Sequence, residues 1–260
     1  MSPREILFPR EHGAWALLAG AFLLAWAHPW ARETGSLLLA LLFLLTFAAQ
    51  APLREVAAGR GGRAWIWLLA YLVPSVAIVV FLVTRYGVIL LLPAGFFAAI
   101  FTGVDLIARR RKLHRSIGHR IVGAAGISLL LPAMLCLFHP DMLAYSILLW
   151  GLVLLYFVSR MPLVRAHGAV RRDPSTAKDW RRRLVLTQVA LLALVITVIA
   201  LRLVGPWILV AFIPGIATAL MPVRGLSNPA LGKREALILV WFLAWLVVSF
   251  HLGAFDGLLG

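Results

Sequence analysis

The sequence predicts an all-α, polytopic integral membrane protein of about nine spanning helices, forming a single transmembrane domain over residues 1–260. Three observations lead there. Of the 260 residues, 62% are hydrophobic and only 13% charged, with a mean hydropathy of +0.95. Soluble domains carry about 25% charged residues, so this chain has too little polar surface to cover a soluble core. Apolar runs recur along the whole chain and approach the roughly 20 residues that a spanning helix needs. The 25 Lys and Arg residues sort almost wholly onto alternate connections between those runs. The single cysteine, Cys136, excludes an intrachain disulfide scaffold.

Taken in order, the apolar runs are 14–31, 36–53, 64–84, 86–107, 121–138, 141–159, 184–204, 206–221 and 236–252. The second, fifth and eighth are short, and Pro206, Pro214 and Pro222 punctuate the eighth. Arg4 and Arg10 precede the first run, and Ala25-Trp26-Ala27 imitates a signal-peptidase site. Pro29 stands just beyond that cut, so the segment reads as the first spanning helix. Asp173 is placed to cap a helix that has Pro174 at its first position. The following Lys178 and Arg181–Arg183 predict a piece lying in the headgroup layer before the seventh run turns inward.

The formal net charge is +15 and the pI about 11.6. In a soluble protein that excess would suggest nucleic acid; in a membrane protein it is the positive-inside bias. One side carries Arg4, Arg10, Arg54, Arg60, Arg63, Arg109–Arg111, Lys112, Arg115, Arg120, Arg160, Arg165, Arg171, Arg172, Lys178, Arg181–Arg183, Arg224, Lys233 and Arg234. The other keeps Arg32, Arg85 and Arg202, a split of 22 to 3. The N-terminus is therefore expected in the cytoplasm and the C-terminus outside. Trp15, Trp65, Trp67 and Trp180 fall near the inner boundary, Trp26, Trp30 and Trp207 near the outer one. The expected partners are the bilayer and its anionic lipids, which a basic run such as 109–120 attracts; no nucleic-acid partner is expected.

Few polar residues carry chemistry, and each has a structural reading beside a functional one. Glu11 and His12 open the first helix, where free N–H groups favour an anion; His12 is either part of a capped entrance or faces a cytoplasmic cavity. Asp105 pairs with Arg109 at i,i+4 in the favourable order, or belongs to a site near membrane depth. His114, Arg115 and His119 lie at the start of the fifth run, and Arg165 follows the sixth at the same level. Glu235 opens the ninth helix as a dipole cap or a functional acid. His12, Arg115, Arg165, Asp105, Glu235, His114 and His119 form the candidate ligand-binding set, a basic cytoplasmic mouth for an anionic, lipid-soluble ligand. On the outer side His28, His139 and His251 end three runs at one level and would suit haem or a metal, or simply a half-wet interface. No Cys pair, His-x-x-x-His or Glu-x-x-His motif supports a metal there. Pro74, Pro93 and Pro132 lie inside runs and hint at an intramembrane cavity.

The stretch Arg10-Glu11-His12-Gly13-Ala14-Trp15-Ala16-Leu17-Leu18 resembles the N-terminal signature of the YwiC-like family of bacterial membrane proteins. Arg115-Ser116-Ile117 is similar to that family's second patch, and Arg165, Gly232 and Glu235 echo it more faintly. Where that pattern has acids, this chain has His114 and His119-Arg120. The resemblance implies a bacterial cytoplasmic membrane and an association with respiration on nitrogen oxides, hence a respiratory membrane partner. The layout also resembles the UbiA-type prenyltransferases, which hold magnesium and a prenyl diphosphate with two Asp-rich motifs. The corresponding loops here read Arg54-Glu55-Val56 and Arg160-Met161-Pro162. Without paired carboxylates, magnesium-dependent prenyl transfer is not expected. Two further readings stay open: a transporter or exporter, and a haem- or quinone-binding redox accessory.

Overall fold

A computed structural model describes residues 12–59, 61–87, 95–96, 99–104, 107–108, 111, 117–136, 139–221 and 228–255. Among the described residues all regular structure is helical. The α-helices are α1 (His12–Trp26), α2 (Thr34–Ala57), α3 (Ala64–Tyr86), α4 (Ile117–Ser128), α5 (Leu130–Cys136), α6 (Leu143–Arg172), α7 (Ala177–Ala200), α8 (Ile208–Leu220) and α9 (Asn228–His251). Short 3-10 turns at Pro29–Ala31, Pro140–Met142 and Pro174–Thr176 precede α2, α6 and α7. Two compact units divide the chain, Met1–Ser146 and Ile147–Gly260.

Five helical stretches are long and apolar enough to cross a bilayer: Thr34–Ala57, Ala64–Tyr86, Gly118–Cys136, Pro140–Arg172 and Pro174–Ala200. Their outward faces are apolar. On α3 the exposed residues Ile66, Leu69, Val73, Val76 and Val80 follow one another at helical spacing, opposite buried Leu68, Ser75, Ile78 and Leu82. A soluble helix would place polar residues there. The fourth predicted run, 86–107, falls largely outside the described residues. The eighth is only the thirteen-residue α8, which rises about 20 Å against a hydrocarbon core of about 30 Å. Nine full crossings therefore do not follow from these helices.

In the first unit α1 packs on α4 and α5, and α2 on α3 and α5. Ala21 and Ala25, one turn apart on α1, are completely buried, and such small residues let helices approach closely in lipid. Trp15 meets Phe47 edge-on at 4.8 Å. Arg32 donates from Nε to the Trp26 carbonyl at 3.0 Å and from Nη2 to the Ala27 carbonyl at 3.3 Å. It thereby closes the end of α1 where unpaired carbonyls favour a cation. The break between α4 and α5 at Leu129 follows from Pro132, which has no N–H for the Ser128 carbonyl one turn earlier.

In the second unit α8 packs against α7 and α9, and α6 and α7 meet through the buried cluster of Leu163, Ala166 and Leu184, with Trp180 beside it. Two expectations are corrected here. The sixth helix does not end at 159 but runs thirty residues to Arg172, through Pro162. Leu163, Ala166 and Val170 keep a buried stripe going beyond the apolar run, and the intervening arginines are good helix formers. Nor does the basic stretch turn before the seventh span begins: Lys178 and Arg181–Arg183 lie on α7, one helix from Ala177 to Ala200. The Asp173 cap does form, its carboxylate accepting from the Ser175 backbone N–H at 3.0 Å and from its hydroxyl at 2.6 Å.

Candidate functional site

The strongest polar constellation among the described residues lies in the second unit, and α6 supplies its centre. Arg160 follows the apolar run 141–159 and is only 6% exposed. Its guanidinium donates from Nε to Glu235 Oε2 and from Nη2 to Glu235 Oε1, both at 2.8 Å. The second nitrogen, Nη2, also donates to Thr218 Oγ1 at 3.0 Å, and Nη1 donates to the Gly215 carbonyl. Thr218 in turn donates its own hydroxyl to the Pro214 carbonyl at 2.8 Å. Three helices thus converge on one guanidinium: α6 with the cation, α9 with the carboxylate, and the last turns of α8 with a hydroxyl and a carbonyl.

Apolar packing fixes this geometry. Tyr156, one turn before Arg160, stacks on Phe242 of α9 at 4.1 Å, and Phe212 of α8 meets Phe242 at 5.2 Å. Pro214 sits inside α8 and has no N–H for the carbonyl of Val210, four residues back. In lipid a freed carbonyl has no water to turn to. The indole of Trp241 on α9 donates to it at 3.1 Å, and Trp245 donates to the Trp207 carbonyl at 2.8 Å. Gln188 of α7 also donates to the Ser159 carbonyl, in the turn before Pro162. A neighbouring helix thus supplies the donor to the carbonyl that Pro214 frees.

A second guanidinium adjoins the pair. Arg234 Nη2 lies 3.5 Å from Glu235 Oε1. Glu235 has its two oxygens engaged by Arg160, so one carboxylate stands between two cations and a positive charge is left over. Arg234 Nε and Nη2 are both buried, and neither donates a hydrogen bond among the described residues.

The sequence-predicted residues distribute unevenly around this centre. Glu235 is in it, bound to Arg160 rather than to Arg165. Five residues separate the two arginines, a rotation of about 140° around the helix, so they cannot share one face; Arg165 is half-buried elsewhere on α6. His12 begins α1, with its side chain outside the described residues. Asp105, His114 and Arg115 also lie outside them. His119 is half-buried on α4 in the first unit. Among the outer histidines, His28 is buried and its Nε2 shares a 2.9 Å hydrogen bond with the Tyr145 hydroxyl, while His139 is half-buried and His251 exposed. Among the described residues no three His, Cys, Asp or Glu side chains are grouped to hold a metal ion. Arg160 is the residue that sequence reasoning missed. Its signal was a cation two positions before Pro162, which the helix runs through rather than stopping at.

Residues 8–135 match the family model described as YwiC-like protein. Over that stretch the chain is similar to the YwiC-like family. The YwiC-like match takes in the signature around His12 and continues almost to the end of α5; Arg160, Thr218, Arg234 and Glu235 lie beyond it. Together with the apolar helices it makes this a multi-pass membrane protein, all-helical among the described residues. No curated protein and no solved structure matches the chain, and the likeness in layout to UbiA-type enzymes has no counterpart in these comparisons.

Proposed function

We propose that this YwiC-like protein, acting as a single transmembrane domain, binds an anionic, lipid-soluble ligand at the basic cytoplasmic end of its helices in the bacterial inner membrane. One observation carries the reading: in the second unit two guanidiniums, Arg160 and Arg234, share the single carboxylate of Glu235. Ionisable residues at membrane depth are costly and are retained where they serve a site. A surplus cation between low-dielectric walls attracts an anion far more strongly than the same group in open water. The apolar flanks of α6, α8 and α9 suit a hydrocarbon tail, and α6 continues from Arg160 past Arg165 to Arg171 and Arg172, which extend the positive field. His12, Asp105, His114, Arg115 and His119, all in the first unit, stay in the proposal as candidate binding residues of that unit, and the reading needs no UbiA-type scaffold.

Transport is a weaker reading of the same helices. A gate at Pro214 would need α8 to flex there, whereas the Trp241 indole fastens the freed Val210 carbonyl to α9. For a redox role, His28 already shares its Nε2 with the Tyr145 hydroxyl, so a metal would have to meet the other ring nitrogen. The test is the lipid that stays with the purified full chain after washing in an uncharged detergent. An acidic amphiphile enriched to a stoichiometric amount over the bulk membrane lipid is expected. A bound fraction with the bulk composition overturns the proposal.

A further inference from the structure

We infer that the Nε–Nη2 edge of Arg234 is the receptor for a two-oxygen anionic headgroup, a phosphate or a carboxylate. This rests on the proposed function and names the residue that would take the ligand. Arg160 has committed its donors to Glu235, Gly215 and Thr218, so it positions the carboxylate and has little left for a ligand. Arg234 differs. Both nitrogens of its side-on edge are removed from solvent, and among the described residues neither makes a hydrogen bond. Its polar contact there is Glu235 Oε1 at 3.5 Å, too long for a charge-assisted hydrogen bond. Buried donors are normally satisfied, so two adjacent ones with no hydrogen-bond partner among the described residues call for an explanation. A receptor edge supplies it.

The shape of that edge specifies the acceptor. The Nε and Nη2 hydrogens of a guanidinium run parallel and match two oxygens of one carboxylate or phosphate. Glu235 does not repel such a group as an unpaired acid would, because Arg160 matches its charge with two bonds of 2.8 Å. Arg234 as a whole keeps a side-chain exposure of 22%, so its fork is reached by turning the flexible stem rather than by opening the bundle. A free phosphate ion and the phosphate of a lipid present the same two oxygens; only the tail separates them.

The experiment uses the full chain in an uncharged detergent, with inorganic phosphate alone, phosphatidic acid and phosphatidylcholine as probes. Retention is read by native mass spectrometry and protection by thermal unfolding. R234K keeps the charge but loses the fork; R234Q is the second variant should R234K fail to fold, and R181Q, on an exposed residue, is the control. Wild-type and R181Q protein are expected to retain phosphatidic acid and not phosphatidylcholine, and R234K to bind it at least tenfold more weakly. Protection by inorganic phosphate that R234K abolishes also upholds the fork and identifies a free anion as the ligand. Equal retention of phosphatidic acid by wild type and R234K overturns the fork while leaving the proposed function standing. A wild-type protein that neither retains phosphatidic acid nor is protected by inorganic phosphate overturns the proposed function itself.

Discussion

Arg160 and Glu235 stand 75 residues apart in sequence and are joined by two parallel hydrogen bonds of 2.8 Å. The arginine side chain is 7% exposed and the glutamate 19%, so the pair is largely withdrawn from solvent. Removing Glu235 strands the buried Arg160 charge, at a cost of about 3–5 kcal/mol, and removing Arg160 leaves Glu235 only its longer 3.5 Å contact with Arg234. Replacing both with apolar residues of similar volume is often neutral. Arg160→Gln and Glu235→Gln are therefore expected to lower the unfolding temperature markedly, and R160M/E235L to recover most of the loss. A double variant as unstable as the singles combined would show that the two residues act independently.

Pro214 and Trp241 form a second long-range pair, through the Val210 carbonyl. Trp241→Phe removes the indole donor from that carbonyl, which costs about 1–3 kcal/mol when a shielded acceptor is left unsatisfied. Pro214→Ala supplies the missing helical N–H. In a double-mutant cycle, Trp241→Phe should thus be costly in the wild-type background and nearly silent in the Pro214→Ala background. Equal costs in the two backgrounds would mean that the indole acts through packing alone.

Much of the architecture was legible in the sequence because lipid demands unbroken apolar runs. The run 36–53 became α2 and the run 64–84 became α3, since turn residues such as Gly59, Gly61 and Gly62 separate them cleanly. The end of α6 was hidden because Arg160, Arg165 and Arg171 interrupt hydropathy without interrupting a helix. Its continuation shows only in the spacing of Leu163, Ala166 and Val170. Of the site, Glu235 was visible as a carboxylate near a helix start, but its partner was not. Choosing Arg160 over Arg165 requires the register of α6 against α9, which is a property of packing and not of either segment alone. The donors to Val210 and Ser159 come from other helices and leave no local trace.

Asp173 gives a pH signature outside the spanning segments. The hydroxyl and backbone N–H of Ser175 hold its carboxyl below the ordinary carboxylate value. A depressed folded value means that the cap's contribution is complete above the unfolded value and is lost as pH falls through the folded one. Asparagine caps a helix without titrating. Amide exchange of Ser175 and Thr176 should match between wild type and Asp173→Asn at neutral pH, and wild type alone should lose protection in acid below the carboxylate range. Parallel losses in both proteins would assign the effect to some other group.

The orientation of the chain yields the last prediction. Ser175 lies in an exposed turn among Arg171, Arg172, Lys178 and Arg181. Arg202 follows the far end of α7, a helix of 24 residues that rises about 36 Å. One helix thus separates the cation-rich connections from a sparse one, residues 201–207, which carries Arg202 alone. Lys and Arg near span ends are held on the cytoplasmic side. A reporter inserted at Ser175 should be active in the cytoplasm, and one fused after Gly260 active outside. Both fusions leave the Arg160–Glu235 pair untouched, so folding is not at stake in the comparison. The opposite pattern would reverse the orientation and move the Arg234 fork to the outer face, where a cytoplasmic ligand could not reach it. Activity of both reporters on the same side would instead show that the number of crossings after Ser175 is even.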